Sequence, residues 1–320
     1  MSAHPPRTVS VRAPTRIDFG GGWTDVPPYC DEQGGFVCNI AISRYATASI
    51  RADETYPDSA AKGAPDEALI AAALKRTGAR GLSVSLHSDF PVAAGLGGSS
   101  AASAATLGAI AAWKRERWER VAVAEEGRRI EVEELGVAGG RQDHYASTHG
   151  GVLGLTFTDT VQVKRLRVTD ETLAALQRRA LLIYTGESRI SGSTIRGVLD
   201  AYRDRDEGVR GALAAMKALA RQMADALERG DLDTLGALLA EHWLSQRSLH
   251  PAIPTARIDE IVMRAQGAGA SGWKAMGASG GGCVLVLAAE DNVDQVRSAI
   301  ARLGTFVDWS VDREGLAICP

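Results

Sequence analysis

The chain has 320 residues, enough for a generous hydrophobic core and, as a first expectation, two domains. Its formal net charge of −3 at pH 7 is spread without long runs of either sign, which argues against nucleic acid or an anionic membrane as the main partner. The four cysteines (Cys30, Cys38, Cys283, Cys319) are dispersed with no CxxC pair, no secretory leader is visible and no apolar run is long enough to span a bilayer, so reduced thiols in a cytoplasmic protein are expected.

In chain order, VSVRAP (9–14) alternates like a strand and is expected to stop at Pro14. The next stretch, TRIDFGGGWTDVPPYCDEQGG, is polar and glycine-dense between two apolar runs. Long irregular segments of that kind inside a compact domain are usually functional. FVCNIAI (36–42) and TASIRA (47–52) read as a strand pair, 53–65 as a polar excursion and 66–78 as a helix. A strand over 82–87 leads through Pro91 into a small glycine-rich turn, two serines and an alanine-rich helix. Residues 119–135 read as a helix ending near Gly136, followed by strands over 151–157, 161–168 and 180–184. The second half reads as mostly helical, over 192–203, 206–229, 231–248 and 255–267. A second glycine loop in GWKAMGASGGGCVLVLAAE then feeds an apolar strand. A helix over 291–303 and strands over 305–310 and 315–319 close the chain. Strands and helices mix without regular βαβ alternation, so the fold class is α+β, with a domain boundary between 165 and 180.

The stretch PVAAGLGGSSAAS carries the clearest chemistry. Gly95, Gly97 and Gly98 leave backbone N–H groups open to a ligand, and the first turn of the following helix offers unpaired donors and a positive dipole end. Ser99 and Ser100 suit a helix cap or a phosphate-bound metal. The inference is a phosphate cradle, and the competing reading is a tight turn capped by serine. It is not a Walker loop, because no lysine lies near it, and it departs from the dinucleotide fingerprint, because the sixth position from Gly95 is Ser100.

Asp143, in GGRQDHY, is a carboxylate beside an arginine that would stay ionised and could accept a hydroxyl proton; an N-cap role is the alternative. Glu131 reads either as a Mg²⁺ ligand facing the serine loop or as part of a solvated acidic face. Arg16 and Asp25 bracket the first glycine stretch, one suited to phosphoryl charge and the other to substrate hydroxyls. His144 and His149 have no third ligand at matching spacing, which argues against zinc, and His242 and His250 read as packing or surface residues.

Three separated segments together resemble the GHMP kinases, the family of galactokinase and of homoserine, mevalonate and phosphomevalonate kinases. APTRIDFGGGWTD is similar to that family's first motif, PVAAGLGGSSAAS to the second and WKAMGASGGGCVLVL to the third, and their spacing covers nearly the whole chain. Within the family, GGRQDHYASTHGG and YTGESRISGSTI resemble D-glycero-D-manno-heptose 7-phosphate kinases, while DFGGGWTDVPPY is similar to L-fucose kinases. The resemblance implies an S5-domain-2-like N-terminal lobe (1–170) and a ferredoxin-like C-terminal lobe (171–320) with the site between them. It implies ATP and Mg²⁺, a catalytic Asp143 with Arg16, and ATP contacts from Gly95, Leu96, Gly97, Gly98, Ser99, Ser100 and Ala101. Metal ligation falls to Ser99 and Glu131, and acceptor binding to Gly22, Thr24, Asp25, Gly280 and Gly281. Arg189, with Ser191 and Ser193, is the candidate anchor for a phosphorylated acceptor; the alternative is a surface arginine. Three departures stand out: Gly98 where relatives usually have serine, His144 in place of the common glutamine, and Trp23 where many heptose kinases have glycine. The expected activity is phosphorylation of the anomeric hydroxyl of a sugar or sugar phosphate, a heptose 7-phosphate first. A fucose or C7-cyclitol phosphate kinase, or a non-catalytic sugar and ATP sensor, are the alternatives, and a homodimer is admissible.

Overall fold

The computed structural model describes residues 8–53, 65–187 and 192–319. The chain forms β1 (Thr8–Gly20), α1 (Tyr29–Gln33), β2 (Gly35–Ala52), α2 (Pro65–Thr77), β3 (Leu82–Ser88), α3 (Gly98–Lys114) and α4 (Arg120–Arg129). A π-helical turn (Ile130–Glu134) prolongs α4, and α5 (Gln142–His149), β4 (Val152–Phe157), β5 (Val161–Arg165), α6 (Asp170–Arg179) and β6 (Ala180–Tyr184) follow. The remainder comprises α7 (Gly192–Arg203), α8 (Glu207–Arg229), α9 (Leu232–Ser248), α10 (Ala256–Gly267), β7 (Ala270–Ala275), β8 (Cys283–Ala288), α11 (Val293–Ile300), β9 (Thr305–Phe306) and β10 (Ala317–Ile318).

Two antiparallel sheets result. The first has the order β10-β1-β2-β4-β5, with β3 pairing the second half of β2. The second runs β7-β8-β6-β9. In chain order that is second, third, first, fourth, with helices between its first two and last two strands, which is the ferredoxin-like arrangement expected of the C-terminal lobe. The α+β class holds.

The first strand does not stop at Pro14. It continues to Gly20 through a bulge between Pro14 and Thr15, where a missing N–H is tolerated. Val11 and Ala13 join the core beneath α3, whereas Ile17 and Phe19 join the core shared with the second sheet. All four positions are odd, so the bulge has turned the strand over. Its consequence is that Arg16 and Asp18 point into a cleft beside the start of α3. The expected strand pair over 36–52 is one long strand, and the expected helix over 119–135 ends in the π turn. Two short helices, α1 and α5, fall in stretches read as loop.

The four cysteines are free thiols, three of them buried. Among the described residues no helix is long and apolar enough to cross a membrane.

Candidate active site

A cleft of about 800 Å³ opens where the two glycine loops meet. Gly97 stands just before α3 in the left-handed region, and the helix begins at Gly98. The serines therefore lie inside the first turn, and neither caps the helix. Ser99 is exposed in the cleft, whereas Ser100 is buried with its hydroxyl 3.4 Å from His144 Nε2. The loop after β7 crosses this one, and the Cys283 N–H donates to the Ala94 carbonyl at 2.8 Å.

Arg16 ties the strand, the loop and α5 together. Its Nε donates to Asp143 Oδ1 at 2.7 Å, its Nη1 to the Gly95 carbonyl at 2.6 Å, and its backbone N–H to the Leu96 carbonyl at 3.0 Å. Asp143 sits in the first turn of α5 and makes no side-chain cap. Its side chain keeps 26% of its surface, facing the cleft, while that of Arg16 keeps 4%. Burial pushes the Asp143 carboxyl above the usual carboxylate range, opposed by the Arg16 guanidinium. A carboxylate so placed holds a lone pair toward the cleft and is closer to the operating pH of a general base.

Asp25 is almost completely buried and accepts the Gln142 N–H at 2.9 Å. Burial lifts its carboxyl to about 6. A Cβ at Gly140 would stand 1.9 Å from Asp25 Oδ2, so this glycine is what lets Asp25 approach α5. Glu131, at the start of the π turn, lines the cleft, and His144 Nε2 lies 2.9 Å from its Oε2. That contact requires the imidazole proton on Nε2 when His144 is neutral.

Other candidate residues lie elsewhere. Thr24 does not line the cleft: its hydroxyl donates to the Gly21 and Phe36 carbonyls and accepts the Phe36 N–H, clamping the glycine stretch to β2. Gly22, Gly281 and Leu96 line it; Gly280 and Ala101 do not. Gly280 donates its N–H to the Ile253 carbonyl, and Ala101 is buried within α3. Arg189 and Ser191 lie outside the described residues.

Three residues to which sequence reasoning gives no role in the site support it: Asp18 in the cleft floor, and Lys274 and His242 buried behind it. Lys274, fully buried on β7, donates to Asp18 Oδ2 and to the Asp18 carbonyl, both at 2.9 Å. Burial pushes Asp18 up, but Lys274 and Arg16 outweigh it and hold the carboxyl below its ordinary range. His242 on α9 accepts the Gly21 N–H at 2.9 Å, and burial depresses its titration to about 3, so it is neutral. The cleft thus has an apolar half, with Leu69, Leu86, Phe90, Leu135 and Val137, and a polar half, with Asp18, Asp25, Gln142 and Asp143. The first suits a flat aromatic ring system and the second a polyhydroxy compound.

The signature of the GHMP kinase N-terminal domain matches residues 66–151, and that of the GHMP kinase C-terminal domain matches residues 223–305. The chain belongs to the GHMP kinase family. It is therefore a kinase, and ATP is its phosphoryl donor. This GHMP kinase is 28% identical to D-glycero-alpha-D-manno-heptose 7-phosphate kinase of Campylobacter jejuni, over 97% of this chain and 98% of that one. It is 26% identical to the bifunctional fucokinase/GDP-fucose pyrophosphorylase of Arabidopsis thaliana, over 98% of this chain but 33% of that one. Its fold superimposes on a D-glycero-D-manno-heptose 1-phosphate kinase from Bacteriodes thetaiotaomicron with a TM-score of 0.77 over 98% of this chain and 99% of that one, at 22% identity.

Proposed function

We propose that this sugar kinase of the GHMP family transfers the terminal phosphoryl group of ATP to the anomeric C1 hydroxyl of a sugar or sugar phosphate, a heptose 7-phosphate first among acceptors. The observation that carries the reading is the Asp143 carboxylate, open to the cleft and held by Arg16 between the helix start and the polar half. In the reaction, Asp143 accepts the proton of the C1 hydroxyl, the C1 oxygen bonds to phosphorus, and the bond to the ADP oxygen breaks. The N–H groups of Gly98, Ser99 and Ser100, in the first turn of α3, face phosphate oxygens. Arg16 holds Asp143 in place and puts positive charge beside the transferred group.

Ser99 and Glu131 are the oxygen donors suited to Mg²⁺. The Ser99 hydroxyl is exposed in the cleft, and Glu131 lines the same space with one oxygen oriented by His144. Two protein oxygens agree with the way Mg²⁺ is usually bound, with water and phosphate completing its shell. When bound, it supplies charge neutralisation at the terminal phosphates. Reduced thiols fit a cytoplasmic enzyme.

The heptose reading rests on the full-length likeness to the Campylobacter jejuni enzyme, with Arg189 as proposed phosphate anchor. A neutral sugar such as fucose is the second reading. What speaks for it is that the polar half carries three carboxylates, Asp18, Asp25 and Asp143, and that, among the described residues, the cations Arg16 and Lys274 beside it are each already paired. The test is to incubate the enzyme with ATP, Mg²⁺ and, separately, D-glycero-D-manno-heptose 7-phosphate, L-fucose and a C7-cyclitol phosphate, and to locate the new phosphate by ³¹P NMR. The expected product carries it on C1, with the heptose 7-phosphate turned over fastest. A phosphate on any other carbon, or ATP turnover that no acceptor stimulates, contradicts the reading.

A further inference from the structure

We infer that Asp18 and Gln142 form a hydroxyl-reading pair in the acceptor half of the cleft, beside Gly22. The inference rests on the sugar-kinase reading above and assigns a binding role to two residues for which the resemblance implies none. Asp18 and Gln142 are 4% and 6% exposed, yet both line the cleft beside Asp25 and Asp143. A Cβ at Gly22 would stand 2.4 Å from Asp18 Oδ2 and 2.9 Å from Gln142 Nε2. A side chain there would press on Asp18 Oδ2 and Gln142 Nε2, the two polar atoms that face Gly22.

The two groups are complementary. An ionised carboxylate only accepts, and an amide NH₂ only donates. Together they match a hydroxyl, or two adjacent hydroxyls, which donate to one and accept from the other. The amide's orientation follows from its other end: Gln142 Oε1 accepts from Asn39 Nδ2 at 3.5 Å, which turns Nε2 toward Gly22. The carboxylate oxygen that faces Gly22 is also the one that Lys274 holds. Lys274 holds it from the second sheet, without lining the cleft itself, and Asp18 Oδ1 has no partner among the described residues. His242 grips the neighbouring Gly21 N–H. Lys274 and His242 are therefore positioning residues that act through Asp18 and the glycine stretch. Buried polar atoms without a protein partner mark places where bonding is completed by something else, and Asp18 Oδ1 shares that state with Asn39 Oδ1 and His242 Nδ1 around it. A site built to bond a hydroxyl rejects an analogue that lacks it, because its own polar groups then stay unpaired.

The competing role for Asp18 is that of counterion to Lys274, joining the two sheets and nothing more. Steady-state kinetics with L-fucose and with D-glycero-D-manno-heptose 7-phosphate as acceptors separate the two. Gln142→Leu removes the donor without unpairing a charge, and Gly22→Ala presses on both groups. The double variant Asp18→Asn/Lys274→Met removes the acceptor charge and its counterion together, so that no buried charge is stranded. Each is expected to raise the acceptor KM at least about tenfold while the KM for ATP stays within about twofold. If Gln142→Leu and Gly22→Ala leave the acceptor KM unchanged, or raise both KM values alike, the pair reads no hydroxyl and the inference falls. If the wild type turns over neither sugar, the sugar-kinase reading fails first and the inference with it.

Discussion

Asp25 is held at a cost in stability. Burial lifts its carboxyl from 3.8 to about 6, and the backbone N–H groups of Gln142 and of Asp25 itself offset that only in part. The folded protein thus binds this proton more tightly than the unfolded chain does. Asp25 accordingly contributes stability that is fully present below about pH 4 and is lost as the pH rises through about 6. Above that range, keeping the ionised group in the fold costs on the order of 3 kcal/mol. Asp25→Asn retains an oxygen for the Gln142 N–H and removes the charge. Thermal unfolding is expected to show a higher Tm than wild type at about pH 8 and no gain at about pH 4. A difference in Tm that is the same at both pH values would show that ionisation of Asp25 is not what the fold resists. At this scale the sequence reveals Arg16 and Asp25 because they bracket the first glycine stretch, and Asp143 because it follows the paired glycines Gly139 and Gly140. It hides Asp18 and Lys274. A lysine in an alternating strand reads as a solvent-facing residue, and its partner lies 256 positions away.

Helix α3 and its glycine approach form the element to which the proposed function assigns phosphate binding. Gly97 has a φ of 75°, and a Cβ there would stand 3.0 Å from Asp143 Cγ. Gly97→Val would therefore strain the loop and push on the base in one change. ATP affinity, measured by calorimetric titration, is expected to fall at least about tenfold, with turnover falling further because Asp143 moves. Wild-type ATP affinity in that variant would mean that phosphates bind elsewhere. This element is legible in the sequence because glycine, serine and alanine follow one another in a physically ordered way. The course of β1 is less so: Pro14 signals a stop, and only the partner strand reveals that it marks a bulge instead. Helix α5 is hidden for another reason. Six of its eight residues are buried, so no polar face alternates with an apolar one to announce a helix.

The whole molecule is two sheets that meet over one shared core, with the cleft at their junction. Residues from β1, the loop before α3, the π turn, α5 and the loop between β7 and β8 converge there. The three motifs predict that convergence, since each needs the others to make a site. The grip of the second sheet on the first strand, through Lys274 and His242, follows only from the folded arrangement. The central claim is that Asp143 carries the proton transfer while the glycine loop independently binds the nucleotide. Asp143→Asn tests it most directly, because the amide oxygen can still accept from Arg16 and the fold is kept. Calorimetric ATP binding and acceptor phosphorylation are measured side by side on that variant and the wild type. The expected result is a kcat lower by about 10²–10⁴-fold with ATP affinity changed by less than about threefold. Near-normal turnover in the folded variant would contradict the claim and leave Asp143 as no more than the partner of Arg16.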